Sequence, residues 1–302
     1  MFLLVDTINV AVTRGGIVES RHRAHAVLVR GGAVVEAWGD PDLVAYVRSA
    51  AKPLQALPLV PYDLPSEELA IACASHEARP DQLVATRALL ERAGASTDDL
   101  ECGAEHGSRL RHNCSGKHAG FLFLCRVRGW ETEGYRLPEH PLQRELRELV
   151  AETVGRPAGE IATAIDGCGV PTFALSLTEM AHMFAAFVAG ESPGMATVVA
   201  AMTAHPELVG GPRAVDTLVM RALPGAVAKR GAEGVLCVGL EDGRGLALKV
   251  EDGAYRATYA AAGALLGIPE LAERPLHSSR GDVVGSIAAT IEISSTTFPQ
   301  EL

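Results

Sequence analysis

The chain has 302 residues, 48% of them hydrophobic and 21% charged. That composition excludes a disordered chain and allows a large buried core, as one big domain or two modest ones. Its 37 acidic and 27 basic side chains give a net charge of −10, and the basic residues are scattered. Arg109-Leu110-Arg111-His112 is the nearest thing to a cationic patch, which argues against a nucleic-acid partner. No stretch of about 18 apolar residues runs free of charge, so no membrane span is expected. Met1 to Asp6 is apolar but lacks a basic start and does not read as an export signal. The six cysteines have no paired spacing. Without such a signal they read as core residues, ligands or reactive groups rather than disulfides, and the expected location is the cytoplasm.

In chain order the first part is β-rich. Ile8–Val12, Ala26–Val29 and Val34–Trp38 predict three strands of an antiparallel meander, with Gly15-Gly16 and Gly31-Gly32 as turns. Helix patterns follow at Ser49–Leu59, Ser66–Cys73 and Pro80–Ala93, the last with an acidic start and Gly94 as its stop. Beyond a polar loop, helices are predicted over His118–Arg128, Leu142–Val154, Phe173–Phe187, Pro193–Met202 and Asp216–Ala222. The final third returns to strands at Val235–Leu240 and Gly245–Val250, joined by a hairpin turn, before an Ala-rich helix from Thr258 to about Leu266. Thr296 to Leu302 reads as a tail. This order predicts a single α+β domain over residues 1–302. An antiparallel sheet from both chain ends (about 1–45 and 230–295) would enclose a helical block (about 46–229), the layout of serine β-lactamases and glutaminases.

Four stretches carry possible chemistry. Ser49 and Lys52 stand three residues apart; on a helix they share a face, and a neutral lysine there could take the serine proton. Ser-x-x-Lys marks penicillin-binding and β-lactamase enzymes for this reason, although a helix cap with a solvated lysine explains the same residues. His112-Asn113-Cys114-Ser115-Gly116-Lys117-His118 concentrates a thiol, imidazoles and an amine in a loop ahead of an apolar helix. Asp166-Gly167-Cys168-Gly169 could present a carboxylate and a second thiol from a tight turn. Cys114 and Cys168 could therefore bind a divalent metal with a nitrogen from His112, Lys117 or His118, the alternative being buried structural cysteines. Cys73-Ala74-Ser75-His76-Glu77 offers a second serine, but neighbouring side chains point apart, so Ser75 needs a base from elsewhere. His22, His25, His182, His205 and His277 stand singly.

Taken together and in order, Arg48-Ser49-Ala50-Ala51-Lys52-Pro53, Cys73-Ala74-Ser75-His76, the His112–Gly120 stretch, Asp166-Gly167-Cys168-Gly169-Val170-Pro171 and Ala247–Gly253 resemble the Rhizobium etli type, or class 3, L-asparaginases. The likeness runs over nearly the whole chain. It implies the β-lactamase and glutaminase fold, hydrolysis of L-asparagine to aspartate and ammonia, and a homodimer. Carried over by position, it pairs Ser49 with Lys52 and Ser75 with Lys249. It implies a zinc held by Cys114, Lys117 and Cys168, with Asp166 beside the metal and substrate. Asp166, Arg48 and His118 are then the substrate-binding candidates. Backbone N–H groups near the nucleophile are expected to hold the oxyanion. The chain departs from the family after Ser75-His76, where Glu77-Ala78-Arg79-Pro80 replaces a small-residue and Gly-Glu pattern. A glutaminase, another Ser-Lys acyl hydrolase of the β-lactam or D-alanyl-peptide kind, and a non-catalytic zinc-binding protein are the alternative readings.

Overall fold

A computed structural model describes residues 4–291; the predicted tail from Thr296 and the outer ends of the predicted sheet regions lie outside the described residues. Strands β1 (Leu4–Val5), β2 (Ile8–Arg14), β3 (Ile17–Arg30), β4 (Ala33–Trp38) and β5 (Val44–Tyr46) open the chain. Helices α1 (Lys52–Ala56), α2 (Ser66–Ala72), α3 (Pro80–Arg92), α4 (Ser115–Arg128) and α5 (Pro141–Val154) follow, with a 3₁₀ turn over Arg48–Ala51 leading into α1. Strands β6 (Thr163–Ile165) and β7 (Pro171–Ser176) interrupt the helical block before α6 (Leu177–Ala189), α7 (Pro193–Ala204), α8 (Pro206–Gly210) and α9 (Val215–Ala222). The chain then returns to strands β8 (Val227–Arg230), β9 (Val235–Gly239) and β10 (Arg244–Val250). After α10 (Tyr255–Leu266) and α11 (Pro269–Ala272) come β11 (Glu273–His277) and β12 (Val283–Thr290).

Among the described residues the main sheet has nine strands, with the path β11-β12-β2-β3-β10-β9-β8. Its order joins both ends of the chain, because β12 pairs with β2 and β10 with β3, both antiparallel. The fold is therefore the expected α+β arrangement. The long β3 makes the junction: Ile17 to Ala24 pair with β2, and Ala26 to Arg30 pair with β4, while β10 runs along its other edge from Ala24 to Arg30. Helix α6 covers β3, β9 and β10, and α10 lies on β12 and β10. Gly245 of β10 sits so close to α6 that a Cβ there would overlap the Ala181 carbonyl oxygen.

The predicted helix over Phe173–Phe187 is corrected at its start. Residues 171–176 form β7, the middle strand of a small sheet β5-β7-β6, and the helix begins only after Ser176. Ser176 accepts from the Glu179 N–H and the Glu179 carboxylate accepts from the Ser176 N–H, a reciprocal cap that fixes the boundary. Strands β1, β5, β6, β8, β11 and β12 likewise have no counterpart among the predicted strands. Strand β8 forms the edge of the main sheet and lies against the Arg48–Ala51 turn. That contact brings the late part of the chain onto the early serine motif.

Candidate active site

Ser75 follows the end of α2, and its loop is held from three directions. The Ser75 N–H donates to Val209 O at 2.8 Å, and the His76 N–H to Asn113 O at 3.1 Å. The Ser115 hydroxyl donates to Leu110 O at 2.8 Å, so it accepts from His76 Nε2 at 2.8 Å, while His76 Nδ1 accepts from the Ala78 N–H. His76 is thus a neutral strut. Burial, with Lys52 and His112 nearby, lowers its pKa to about 3, so it does not serve as an acid or base. Because the N–H groups of Ser75 and His76 are both engaged, an oxyanion must find other donors.

Two lysines converge on the Ser75 hydroxyl. Lys52 Nζ lies 3.0 Å from Oγ and also donates to Ala74 O; Lys229 Nζ lies 3.0 Å from Oγ on its own approach. Lys52 is 1% exposed and Lys229 0%, against 6% for Ser75. Lys229 also reaches Asp216 Oδ2 at 3.3 Å and Arg230 O at 3.0 Å. Burial lowers the Lys229 pKa to about 7; Asp216 pulls it up, and Lys52 and Arg230 push it further down. A lysine so placed is a usable base near neutrality.

Two expected pairings are corrected. Lys249 is not the partner of Ser75: it is a half-exposed residue of β10 whose Nζ donates to the Val250 and Glu251 carbonyls, among the carboxylates of Glu233, Asp252 and Glu251. The amine that meets Ser75 from the C-terminal third is Lys229 of β8. Nor does Lys52 pair with Ser49. Lys52 is drawn inward to Ala74 O and Ser75 Oγ, while Ser49 stays half-buried and its hydroxyl has no hydrogen bond among the described residues. The residues that sequence reasoning missed are Lys229, Arg230 and Asp216. The available signal was a buried-looking Val-Ala ahead of Lys229-Arg230, in a run too short for strand grammar.

A second cluster adjoins the first. Lys117 Nζ donates to Cys168 Sγ at 3.1 Å, and Cys114 Sγ lies against Cys168 and 3.1 Å from Asn113 Oδ1. Contact with Cys168 is the main reason that the Cys114 thiol is held well below its ordinary pKa; burial opposes this, and Lys52 and Lys117 assist. Burial works against the Lys117 ammonium, yet Cys168, Cys114 and Asp166 together raise it above its usual value. The two lysines and two thiols therefore form one continuous electrostatic unit. Among the described residues no three His, Cys, Asp or Glu side chains converge to hold a metal. A metal here would need Lys117 as its third protein donor. Two thiols and an amine are the soft-to-borderline set that suits zinc, with one of its four positions left open.

Helix α4 carries this corner. Gly116 lets its first turn press on α2, since a Cβ there would overlap the Ile71 carbonyl oxygen. His118, expected at the substrate, is corrected to a structural position: it is 0% exposed, with Nδ1 2.7 Å from the Tyr135 hydroxyl. The Tyr135 oxygen also accepts from the Glu101 N–H at 2.8 Å, which fixes the ring that His118 meets. Burial lowers the His118 pKa to about 4 and keeps the ring neutral.

Arg48 and Asp166 close the constellation. Arg48 Nε donates to Asp166 Oδ1 at 2.6 Å, and the Gly167 N–H donates to the same oxygen at 2.7 Å. Burial opposes the Asp166 charge, but Lys117 and Arg48 hold its pKa below the ordinary carboxylate value. Arg48 adopts φ +49°, a left-handed conformation uncommon for a residue with a side chain. The Arg48 N–H donates to Thr172 Oγ1 of β7 at 3.1 Å, which anchors the strained residue to the strand behind the Asp166 turn.

The chain thus brings one buried serine hydroxyl between two lysine amines, on an α+β fold that unites both of its ends. It belongs to the L-asparaginase II family, whose model matches residues 10–287. No curated protein matches it. Similar solved structures include the protein Mglu in its native form (14% identity, TM-score 0.46), with 82% of this chain and 64% of that chain covered. A β-lactamase from Mycobacterium bovis matches at 16% identity and TM-score 0.44, covering 80% and 94% of the two chains. EstCE1, described as a hydrolase with promiscuous acyltransferase activity, matches at 13% identity and TM-score 0.38, covering 74% and 87%. The chain spans about 64% of the length of the first of these structures.

Proposed function

We propose that this chain hydrolyses the side-chain amide of L-asparagine to aspartate and ammonia, with Ser75 as nucleophile and Lys229 as its base. The observation that carries the reading is the pair of 3.0 Å contacts from Lys52 Nζ and Lys229 Nζ to one buried hydroxyl. With Lys229 neutral, the Ser75 proton points along its contact to the Lys229 lone pair. Oγ attacks the amide carbon as that proton passes to Nζ, and the same proton then goes to the departing nitrogen, which leaves as ammonia. The aspartyl ester on Ser75 is cleared by a water that Lys229 deprotonates, which returns the serine proton. Lys52 is the donor placed for the oxyanion, in place of the engaged N–H groups of Ser75 and His76. Arg48 and Asp166 set a positive and a negative end side by side, the complement of the α-carboxylate and α-ammonium of an amino acid. Ser49 is a supporting hydroxyl beside them.

Zinc belongs to the same reading, with Cys114, Lys117 and Cys168 as its protein donors. When bound it supplies a fixed positive charge next to Asp166, which suits substrate orientation because Ser75 already provides the nucleophile. Lys117 must give up its proton to bind, so the metal competes with protons and binds more tightly as pH rises. A homodimer in the cytoplasm completes the proposal; among the described residues no single helix is long and apolar enough to cross a membrane. The test is ammonia release from asparagine and from glutamine by the wild-type chain and by Ser75→Ala, with and without added zinc. Ammonia from asparagine that disappears in Ser75→Ala supports the reading. Full activity in that variant sinks it.

A further inference from the structure

Neighbouring residues of a strand point to opposite faces, yet Lys229 and Arg230 both turn to Asp216. They can do so because Arg230 is the last residue of β8, where the chain leaves the sheet. Asp216 is 0% exposed, and its carboxylate accepts from Arg230 Nη1 at 2.9 Å, from the Arg230 N–H at 3.3 Å and from Lys229 Nζ at 3.3 Å. It stands in the first turn of α9, where its own helix supplies the Thr217 N–H at 3.1 Å. The guanidinium does more than neutralise it: Arg230 Nη2 donates to Ser75 O at 2.9 Å and to Gly210 O at 3.2 Å. One buried carboxylate therefore organises two cations that grip the serine at both ends, Lys229 on its hydroxyl and Arg230 on its carbonyl.

The charge count gives this arrangement a purpose. Lys52, Lys229 and Arg230 are three possible cations around one carboxylate. With all three protonated the buried cluster would carry two uncompensated positive charges, which a low-dielectric interior opposes. Arg230 does not deprotonate, so the charge is shed at a lysine, and Lys229 is the one that touches both the Ser75 hydroxyl and Asp216. We propose that Asp216, together with Arg230, is a positioning device for the base: Asp216 aims Lys229 at the Ser75 hydroxyl while Arg230 takes up the carboxylate charge. The amine is thereby oriented by an acid that does not hold it protonated. The groups facing Lys229 are Lys52 from α1, Ser75 from the loop after α2, Asp216 from α9, Arg230 from its own strand, and the thiols of Cys73 and Cys237. Burial pushes both thiols up, so they stay neutral and add no charge near pH 7.

This inference rests on Ser75 and Lys229 acting as nucleophile and base, and it can be tested apart from asparagine. A fluorophosphonate probe forms an Oγ–P bond at Ser75 and loses fluoride, while the serine proton passes to Lys229. The labelling rate against pH then reports the base. Asp216→Asn removes the anion, so the acidic limb is expected to move to lower pH by roughly one unit, with a lower plateau from lost aim. Arg230→Met leaves Asp216 to Lys229 alone, so the limb is expected to move upward by a similar amount. Arg230→Lys keeps a charge and restores the limb, which covers the case in which Arg230→Met does not fold. Limbs that stay in place, or move together, overturn the proposal, because mere loosening of structure cannot drive them in opposite directions. Labelling of Ser75 without ammonia release overturns only the asparagine assignment. No labelling at all overturns both.

Discussion

At the level of single residues, the two serines are distinguished by their surroundings. Ser75 is buried between two amines, whereas Ser49 sits half-buried and its hydroxyl has no hydrogen bond among the described residues. Ser75→Ala is expected to lower kcat by on the order of a thousandfold or more. Ser49→Ala should act mainly on KM, and steady-state ammonia release separates the two outcomes. Lys249→Ala should stay within about twofold of wild type, since its amine serves two surface carbonyls. Lys229 sets the pH dependence. Its pKa of about 7 is below the ordinary lysine value, so the amine is a base above that point and is progressively protonated below it. The rate should therefore fall about tenfold per pH unit well below pH 7, along a single-proton limb in kcat/KM.

Among elements, the helix α2–α4 contact carries both halves of the site, because α2 leads into Ser75 and the first turn of α4 holds Lys117. Gly116 makes that contact possible. Gly116→Ala is expected to destabilise the fold by about 1–3 kcal/mol, read as a lower denaturant midpoint with an unchanged slope. It should also displace the Lys117 turn from Cys168. Much of this region was legible in the sequence. The polar loop ahead of an apolar helix, the Asp166–Gly169 turn and the Ser75 loop each announce themselves by local composition, and the structure draws them together. Strand β8 was not legible, for a physical reason. Its four residues gain their identity from pairing with β9 and burial against α9, not from their own periodicity. Lys249 was paired with Ser75 by the family resemblance, and it lies in an obvious strand. Propensity marks where strands are, but it does not say which lysine in the last third faces inward.

The whole molecule decides what metal does to stability. A zinc ion held by Cys114, Lys117 and Cys168, as proposed, would join the α4 turn to the loop between β6 and β7, segments far apart in sequence. Binding to the folded chain and not to the unfolded one would raise the melting temperature, with a stabilisation that grows as the logarithm of free metal. Zinc should therefore raise Tm for the wild-type chain, and a chelator should reverse the rise. Cys168→Ser should lose most of the response, measured by thermal unfolding without any turnover assay. The α+β layout was legible at this scale from the order strands, helices, strands. The sheet itself depends on which distant strands meet, which is a property of tertiary packing.

The joining of both chain ends also governs when the protein acquires its chemistry. Ser75 and the Lys229 amine are 154 residues apart, and β2 meets β12 across 273 residues at Thr13 and Ser286. A chain growing from its N-terminus makes the proposed nucleophile early and the proposed base late. Until β8 has emerged and docked, the serine is an ordinary alcohol. In the proposed mechanism the base therefore reaches the nucleophile only through a long-range closure of the fold, which costs loop entropy that local contacts do not.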